Sequence, residues 1–109
     1  MSVLIFGGSG GIGSATASLV AGRGASLMLS ARHEDALRRV AGPLGAAVHT
    51  ADVTDFSQVK ETIDTAKSAY GELTGVALCV GSILLKPAHL TSVEEFEHTL
   101  RVNLHAAFH

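Results

Sequence analysis

The sequence predicts an α/β fold, a partial doubly wound parallel sheet flanked by helices. Three observations predict it. Apolar runs of strand length take turns with helix-period stretches along the whole chain. Those runs are apolar throughout rather than every second residue, as in strands covered on both faces. The first run, Val3–Phe6, passes through Gly7-Gly8-Ser9-Gly10-Gly11-Ile12-Gly13 directly into the helical stretch Ser14–Val20.

That glycine segment suits a phosphate cradle. A helix N-terminus carries about half a unit of positive charge and several unpaired N–H groups, so a pyrophosphate placed there is held by backbone alone. Gly7 makes the tight exit from the strand, Gly11 lets backbone approach the phosphates, and Gly13 lets the helix pack closely. Ser9, Gly10 and Ile12 complete the loop and are assigned to the cofactor with them. A P-loop is excluded, because Gly13 is followed by Ser14-Ala15 where Lys and then Ser or Thr are required. The competing reading is an incidental flexible turn; the strand before and the helix after favour a Rossmann-type nucleotide site.

The first helix should stop near Gly22-Arg23-Gly24, and Ala25–Ser30 forms the second strand. At its end, roughly 20 residues after the glycines, an Asp or Glu would bind the ribose 2′-OH of NAD. Ser30, Ala31 and Arg32 stand there instead. A guanidinium offers forked donors and full charge to a 2′-phosphate, so the expected cofactor is NADP rather than NAD. Arg32 as a solvated residue, or paired with Glu34 or Asp35, is the alternative.

His33–Val40 carries acids first and bases last, matching a helix dipole, and Gly42-Pro43 is expected to end that helix. Ala46–Ala51 reads as the third strand, ending at Asp52-Val53. The Asp52 carboxylate is placed to accept from an adenine amino group, or else is a turn acid. Thr54 or Asp55 opens an amphipathic helix whose apolar positions are Phe56, Val59, Ile63, Ala66 and Tyr70, ending at Gly71. Its stripe makes Tyr70 a packing residue.

Gly75–Val80 is the fourth strand, with Gly81 beside the cofactor's path. Ser82–Leu90 is a loop, from which Pro87 excludes regular helix. Thr91 or Ser92 begins the last helix, with Glu94 and Glu95 in its first turn and Phe96, Leu100, Leu104 and Phe108 on one expected apolar face.

Composition bounds the function. The 109 residues hold 47% hydrophobic and 17% charged residues with a net charge of −2, which fits one partial NAD(P)-binding Rossmann domain over residues 1–109. No basic stripe or polybasic patch is present, so neither nucleic acid nor membrane is an expected partner. The start lacks a charged signal region and its apolar run stops at Gly7, so a cytoplasmic location is expected. Cys79, the single cysteine, lies in an apolar run and reads as core packing. His98, His105 and His109 share helical spacing, but no Cys or acid completes a set, and no metal is expected.

With these residues in place the chain resembles the N-terminal part of the short-chain dehydrogenase/reductase family over nearly its whole length. Gly7, Gly11 and Gly13 match the glycines of the family's TGxxxGxG motif, with Phe6 where Thr is usual. Arg32 matches a position that NADP-preferring members often make basic, and Asp52-Val53 match the adenine-contacting Asp-Val pair. The family's Asn-Asn-Ala-Gly appears as Leu78-Cys79-Val80-Gly81, keeping only the glycine. Arg101-Val102-Asn103-Leu104 resembles the helix segment whose asparagine positions a water for proton relay, which makes Asn103 the one catalytic candidate.

The resemblance implies a strand order of 3-2-1-4, with the fourth strand's outer edge open. It also implies an oxidoreductase that interconverts a carbonyl and an alcohol on a small or acyl-carrier-bound substrate, working as a homo-oligomer. The family's catalytic Ser and Tyr-x-x-x-Lys are missing from these residues, so the chain alone is expected to bind cofactor and turn over little. A non-catalytic NADP-binding sensor or interaction module is the main alternative, and a sugar-nucleotide reductase a third.

Overall fold

The computed structural model describes residues 1–109. Four parallel strands pair in the order β3-β2-β1-β4: β1 Ser2–Phe6, β2 Ser26–Ala31, β3 Ala47–Thr50 and β4 Gly75–Leu78. Helices α1 (Gly11–Gly22), α2 (Glu34–Leu44) and α3 (Phe56–Tyr70) make the crossovers. After β4 come a 3₁₀ turn at Ala88–Leu90, α4 (Val93–Leu100), a π-helical segment at Arg101–His105 and α5 (Ala106–Phe108).

Side-chain alternation along the strands splits the core in two. Ile5 of β1 and Leu27 and Leu29 of β2 pack with Ala17 of α1 and Leu37 and Ala41 of α2. Leu4 and Phe6 of β1 and Met28 of β2 point the other way, onto Val53, Val59 and Ala66 of the α3 side and Ala106 of α5. Leu4, Ile5 and Leu29 are fully buried, and burying each such side chain contributes roughly 1.5–3 kcal/mol. The register sets Phe6 beside Ser30 on one side and Leu78 on the other, bringing the carboxyl ends of the central strands to one edge.

The expected caps are met by Asp55, whose carboxylate accepts from the Ser57 N–H at the start of α3, and by Ser92 and Glu95, which form a reciprocal capping box on α4. Tyr70 packs against the core, and its hydroxyl donates to the Leu27 carbonyl at 2.9 Å.

Three expectations need correction. Helix α2 runs through Pro43 to Leu44, because a proline this near the end forfeits only one ladder bond; Ala46 and Gly45 N–H then close the helix on the Ala41 and Gly42 carbonyls. The stripe Phe96, Leu100, Leu104, Phe108 does not face the core. Phe96 is already exposed on α4, and past Leu100 the π-helical segment widens the turn and breaks the four-residue phase; Ala106 is buried while Leu104 and Phe108 are exposed. Phe56 is also exposed, and its ring meets His109 edge-on at 5.8 Å.

Candidate functional site

The carboxyl edge of the sheet holds a cavity of about 280 Å³. Its walls come from the glycine loop (Gly7, Ser9, Gly10), the end of β2 (Ala31, Arg32, His33), the turn after β3 (Ala51 to Thr54), the end of β4 (Cys79 to Ser82), and His98 and Val102. A crevice outside the carboxyl ends of parallel strands is where open α/β sheets bind ligands.

The loop is fixed by backbone. The Gly7 and Gly8 N–H groups both donate to the Ser30 carbonyl, at 2.8 and 3.1 Å, and the Gly10 N–H donates to the Gly7 carbonyl at 3.2 Å. Gly7 has φ +79°, and a Cβ there would lie 2.6 Å from the Cys79 carbonyl oxygen. A Cβ on Gly13 would collide with the Gly7 carbonyl, so the close approach it permits is to the glycine loop itself. Helix α1 starts at Gly11 with Gly10 as an N-cap that offers no side chain, and its first turn holds no acid. Its leading N–H groups therefore lack intrahelical acceptors, as an anion site requires. Gly11 faces open space and Ile12 is exposed beside it.

The structure does not bring every assigned residue to the cavity wall. Ser30 lies beneath the cleft: the residue is 1% exposed, its Oγ has no hydrogen-bond partner, and its carbonyl anchors the glycine loop. Gly11, Ile12 and Gly13 do not line that wall; Gly11 and Ile12 face outward at the start of α1. Phe6 points into the core, away from the cleft, so its departure from threonine changes packing rather than the lining. Cys79 is half-buried and does both, packing on the core and lining the cavity.

Arg32 is exposed and makes no ion pair with Glu34 or Asp35; Glu34 pairs with Arg38 at 2.6 Å. Asp52 lies in a tight turn in which its Oδ1 accepts from the Thr54 hydroxyl at 2.7 Å and the Thr54 N–H at 2.9 Å. Those bonds, the hydroxyl first, hold the Asp52 carboxyl below its ordinary range, and the nearby Arg32 charge adds to them. Asp52 is thus a turn acid whose residue also lines the cleft, with Val53 beside it.

Asn103, in the π-helical segment, grips the start of the loop after β4. Its Oδ1 accepts from the Ser82 N–H, and its Nδ2 donates to Ser82 and to the Thr99 carbonyl. A Cβ on Gly81 would lie 3.2 Å from that Oδ1. Two features escaped sequence reading. Gly8 packs on Leu29, where a Cβ would come within 2.9 Å of the leucine Cβ; its place inside a known glycine run hid it. Gln58 accepts the Asp52 N–H at 2.8 Å, a long side-chain reach that no local pattern signals.

A parallel sheet of this order, with a glycine loop and bare helix N-terminus at its carboxyl edge, defines a Rossmann-type nucleotide-binding fold. The model of the short chain dehydrogenase family matches residues 1–109, and the chain belongs to that family. It is similar to an uncharacterised oxidoreductase of Listeria innocua, 31% identical over 107 residues, covering 94% of this chain and 43% of the relative. Among solved structures it resembles a short-chain type dehydrogenase/reductase from Mycobacterium ulcerans, with a TM-score of 0.87 and 28% identity, covering 98% of this chain and 42% of that one. A citronellol catabolism dehydrogenase of Pseudomonas aeruginosa is similar at a TM-score of 0.89 and 28% identity, covering 99% and 46%. The chain thus spans less than half the length of these relatives. No helix is long and apolar enough to cross a membrane.

Proposed function

We propose that this chain is the cofactor-binding part of an NADP(H)-dependent oxidoreductase that interconverts a carbonyl and an alcohol. The observation that carries the proposal is Arg32, free of ion-pair partners on the cleft wall at the end of β2, where a ribose-binding acid is absent.

The cleft fits a dinucleotide on three counts. The first turn of α1 offers backbone N–H groups with no acid beside them, Gly11 leaves room in front, and Gly13 admits the loop carbonyl that shapes the seat. Gly7, Ser9, Gly10, Gly11, Ile12 and Gly13 hold the pyrophosphate, Arg32 the 2′-phosphate, and Asp52, Val53 and Gly81 the adenosine. The cofactor supplies hydride chemistry; the protein supplies orientation and charge. Asn103 is a positioning residue that fixes Ser82 at the cleft's far wall. The acid that protonates the carbonyl belongs to a Ser and a Tyr-x-x-x-Lys that these residues do not include, so the 109-residue chain binds without appreciable turnover. The working protein is a cytoplasmic homo-oligomer.

The test is NADPH consumption by the whole protein over a panel of ketones and ketoacyl thioesters. Turnover with NADPH above NADH is the expected result. Binding without turnover would favour a non-catalytic NADP-binding module, a reading that Leu78-Cys79-Val80 in place of the family's asparagines supports.

A further inference from the structure

The turn after β3 is tied mostly to itself. The Asp52 N–H donates to the Gln58 side chain at 2.8 Å, the Asp52 carbonyl accepts the Asp55 N–H at 3.1 Å, and Thr54 bonds the Asp52 carboxylate through both its hydroxyl and its N–H. All of these partners lie within residues 52–58. The exception is the Val53 carbonyl, which meets His109 Nδ1 at 3.0 Å, from 56 residues further along the chain. A carbonyl oxygen has no proton to give, so Nδ1 carries the hydrogen and donates it. Phe56, the first residue of α3, holds the same imidazole from a second side, edge-on at 5.8 Å. Of the three histidines spaced along the last helical stretch, His109 is the one whose ring takes part in a hydrogen bond.

We propose that His109 is a positioning residue for the adenosine end of the cofactor: its Nδ1–H fixes the Val53 carbonyl, and with it the Asp52–Thr54 turn, from behind the cleft wall. The inference rests on the reading of this cleft as a dinucleotide site with Asp52 and Val53 at the adenosine. Val53 belongs to cleft and core at once, since it lines the cavity beside Asp52 and packs in the buried cluster that includes Ala106 of α5. His109 does not line the cavity and touches no ligand position there. Bonds within the turn keep its shape; a donor from a separate helix fixes where that shape stands. The same helical stretch holds Ser82, at the end of β4, through Asn103, so it braces the cleft at the β4 side and at the β3 side together. The glycine loop hangs on the Ser30 carbonyl instead, and loss of the His109 bond leaves it in place.

The experiment is calorimetric titration of the whole protein with NADPH and with NADH, on the parent, on His109→Phe and on His109→Asn, with amide exchange measured on each protein free of cofactor. Phenylalanine keeps an aromatic ring against Phe56 but has no donor; asparagine gives up the ring and can place an N–H near where Nδ1 stands. His109→Phe should bind both cofactors about three- to tenfold more weakly, the worth of one hydrogen bond, and by the same factor for each, because the adenosine is common to both. Its Thr54 and Asp55 amides should exchange faster while those of β1 and β2 keep their protection. His109→Asn should recover most of the lost affinity and of the protection in the turn, which a role in packing alone does not predict. If His109→Phe binds both cofactors as the parent does, or if His109→Asn is as weak as His109→Phe, the positioning role is overturned and the reading of the cleft stands. A parent that binds neither cofactor overturns that reading and the inference with it.

Discussion

Asn103 and Ser82 are joined by a two-way bridge: the asparagine Oδ1 accepts the Ser82 N–H at 3.0 Å while its Nδ2 donates to the Ser82 carbonyl and hydroxyl, each at 3.1 Å. The same Nδ2 reaches the Thr99 carbonyl at 3.0 Å, so one side chain ties the helix to the loop that leaves β4. Asn103→Ala should cost about 1 kcal/mol, the ordinary net worth of partly solvated hydrogen bonds. Amide exchange should speed up at Ser82 and through the following loop but not in β1 or β2. Uniform loss of protection across the sheet would mean that the bridge has a wider structural role.

Arg32 makes no ion pair that its removal would break, and its effect on the Asp52 carboxyl is secondary to the Thr54 bonds. Arg32→Ala should therefore leave the melting temperature unchanged. NADPH binding should weaken by about 1.5–3 kcal/mol, roughly 10- to 150-fold, the range of a charge-assisted contact. NADH binding should change by far less. Equal losses for both cofactors, measured by titration, would sink the assignment of Arg32 to the 2′-phosphate.

The strands, the glycine loop and the helix starts were legible because each is written in neighbouring residues: apolar runs, positive-φ glycines, an acid or hydroxyl at a cap. Gly7, Asp55 and Ser92 are such cases. What was not legible depends on distant partners or on a change of helical period. The π-helical segment at Arg101–His105 has no local signature, and past it Ala106, not Leu104, enters the core. Ser30 sits where a ribose contact is expected by spacing, yet strand alternation turns its side chain under the sheet edge. Spacing locates a backbone position; it does not say which face the side chain takes.

Phe6 occupies a threonine position of the family's glycine motif but belongs to the core, 3% exposed among Leu4, Met28, Val53 and Ala106. Phe6→Thr should destabilise the fold by about 3 kcal/mol, since it leaves a cavity and buries a hydroxyl there. Urea denaturation checks this. Once corrected for the folded fraction, NADPH affinity should move little, because the ring does not line the cleft.

The Asp52 carboxyl is held below its ordinary range, chiefly by the Thr54 hydroxyl, then by the Thr54 N–H, with Arg32 adding. A lowered folded pKa means that the unfolded chain takes up its proton first as the solution is acidified. The stabilisation is present above about pH 4 and is lost progressively as pH falls through the lowered folded value. Asp52→Asn should therefore flatten part of the acid limb of a melting-temperature profile. At neutral pH its cost should stay under about 1 kcal/mol, because solvent screens a group this near the surface. An unchanged acid limb would show that the Thr54 bonds do not favour the ionised form.

Gly11 and Gly13 sit two residues apart at the start of α1 and separate the ligand's needs from the fold's. A Cβ at Gly13 runs into the Gly7 carbonyl, whereas one at Gly11 meets nothing within 4 Å. Gly13→Ala must therefore push the loop and helix apart, at about 1–3 kcal/mol, the usual range for overpacking. Gly11→Ala should be neutral or slightly stabilising, because alanine is the better helix former by about 1 kcal/mol. If a pyrophosphate lies against the first turn of α1, the same methyl fills the space the phosphates need. Cofactor affinity should then fall at least about tenfold in Gly11→Ala while its melting temperature holds or rises. Thermal melts and NADPH titration on the two variants read these effects separately. A Gly11→Ala protein that melts as the parent does and binds NADPH as tightly would remove the phosphates from this helix terminus.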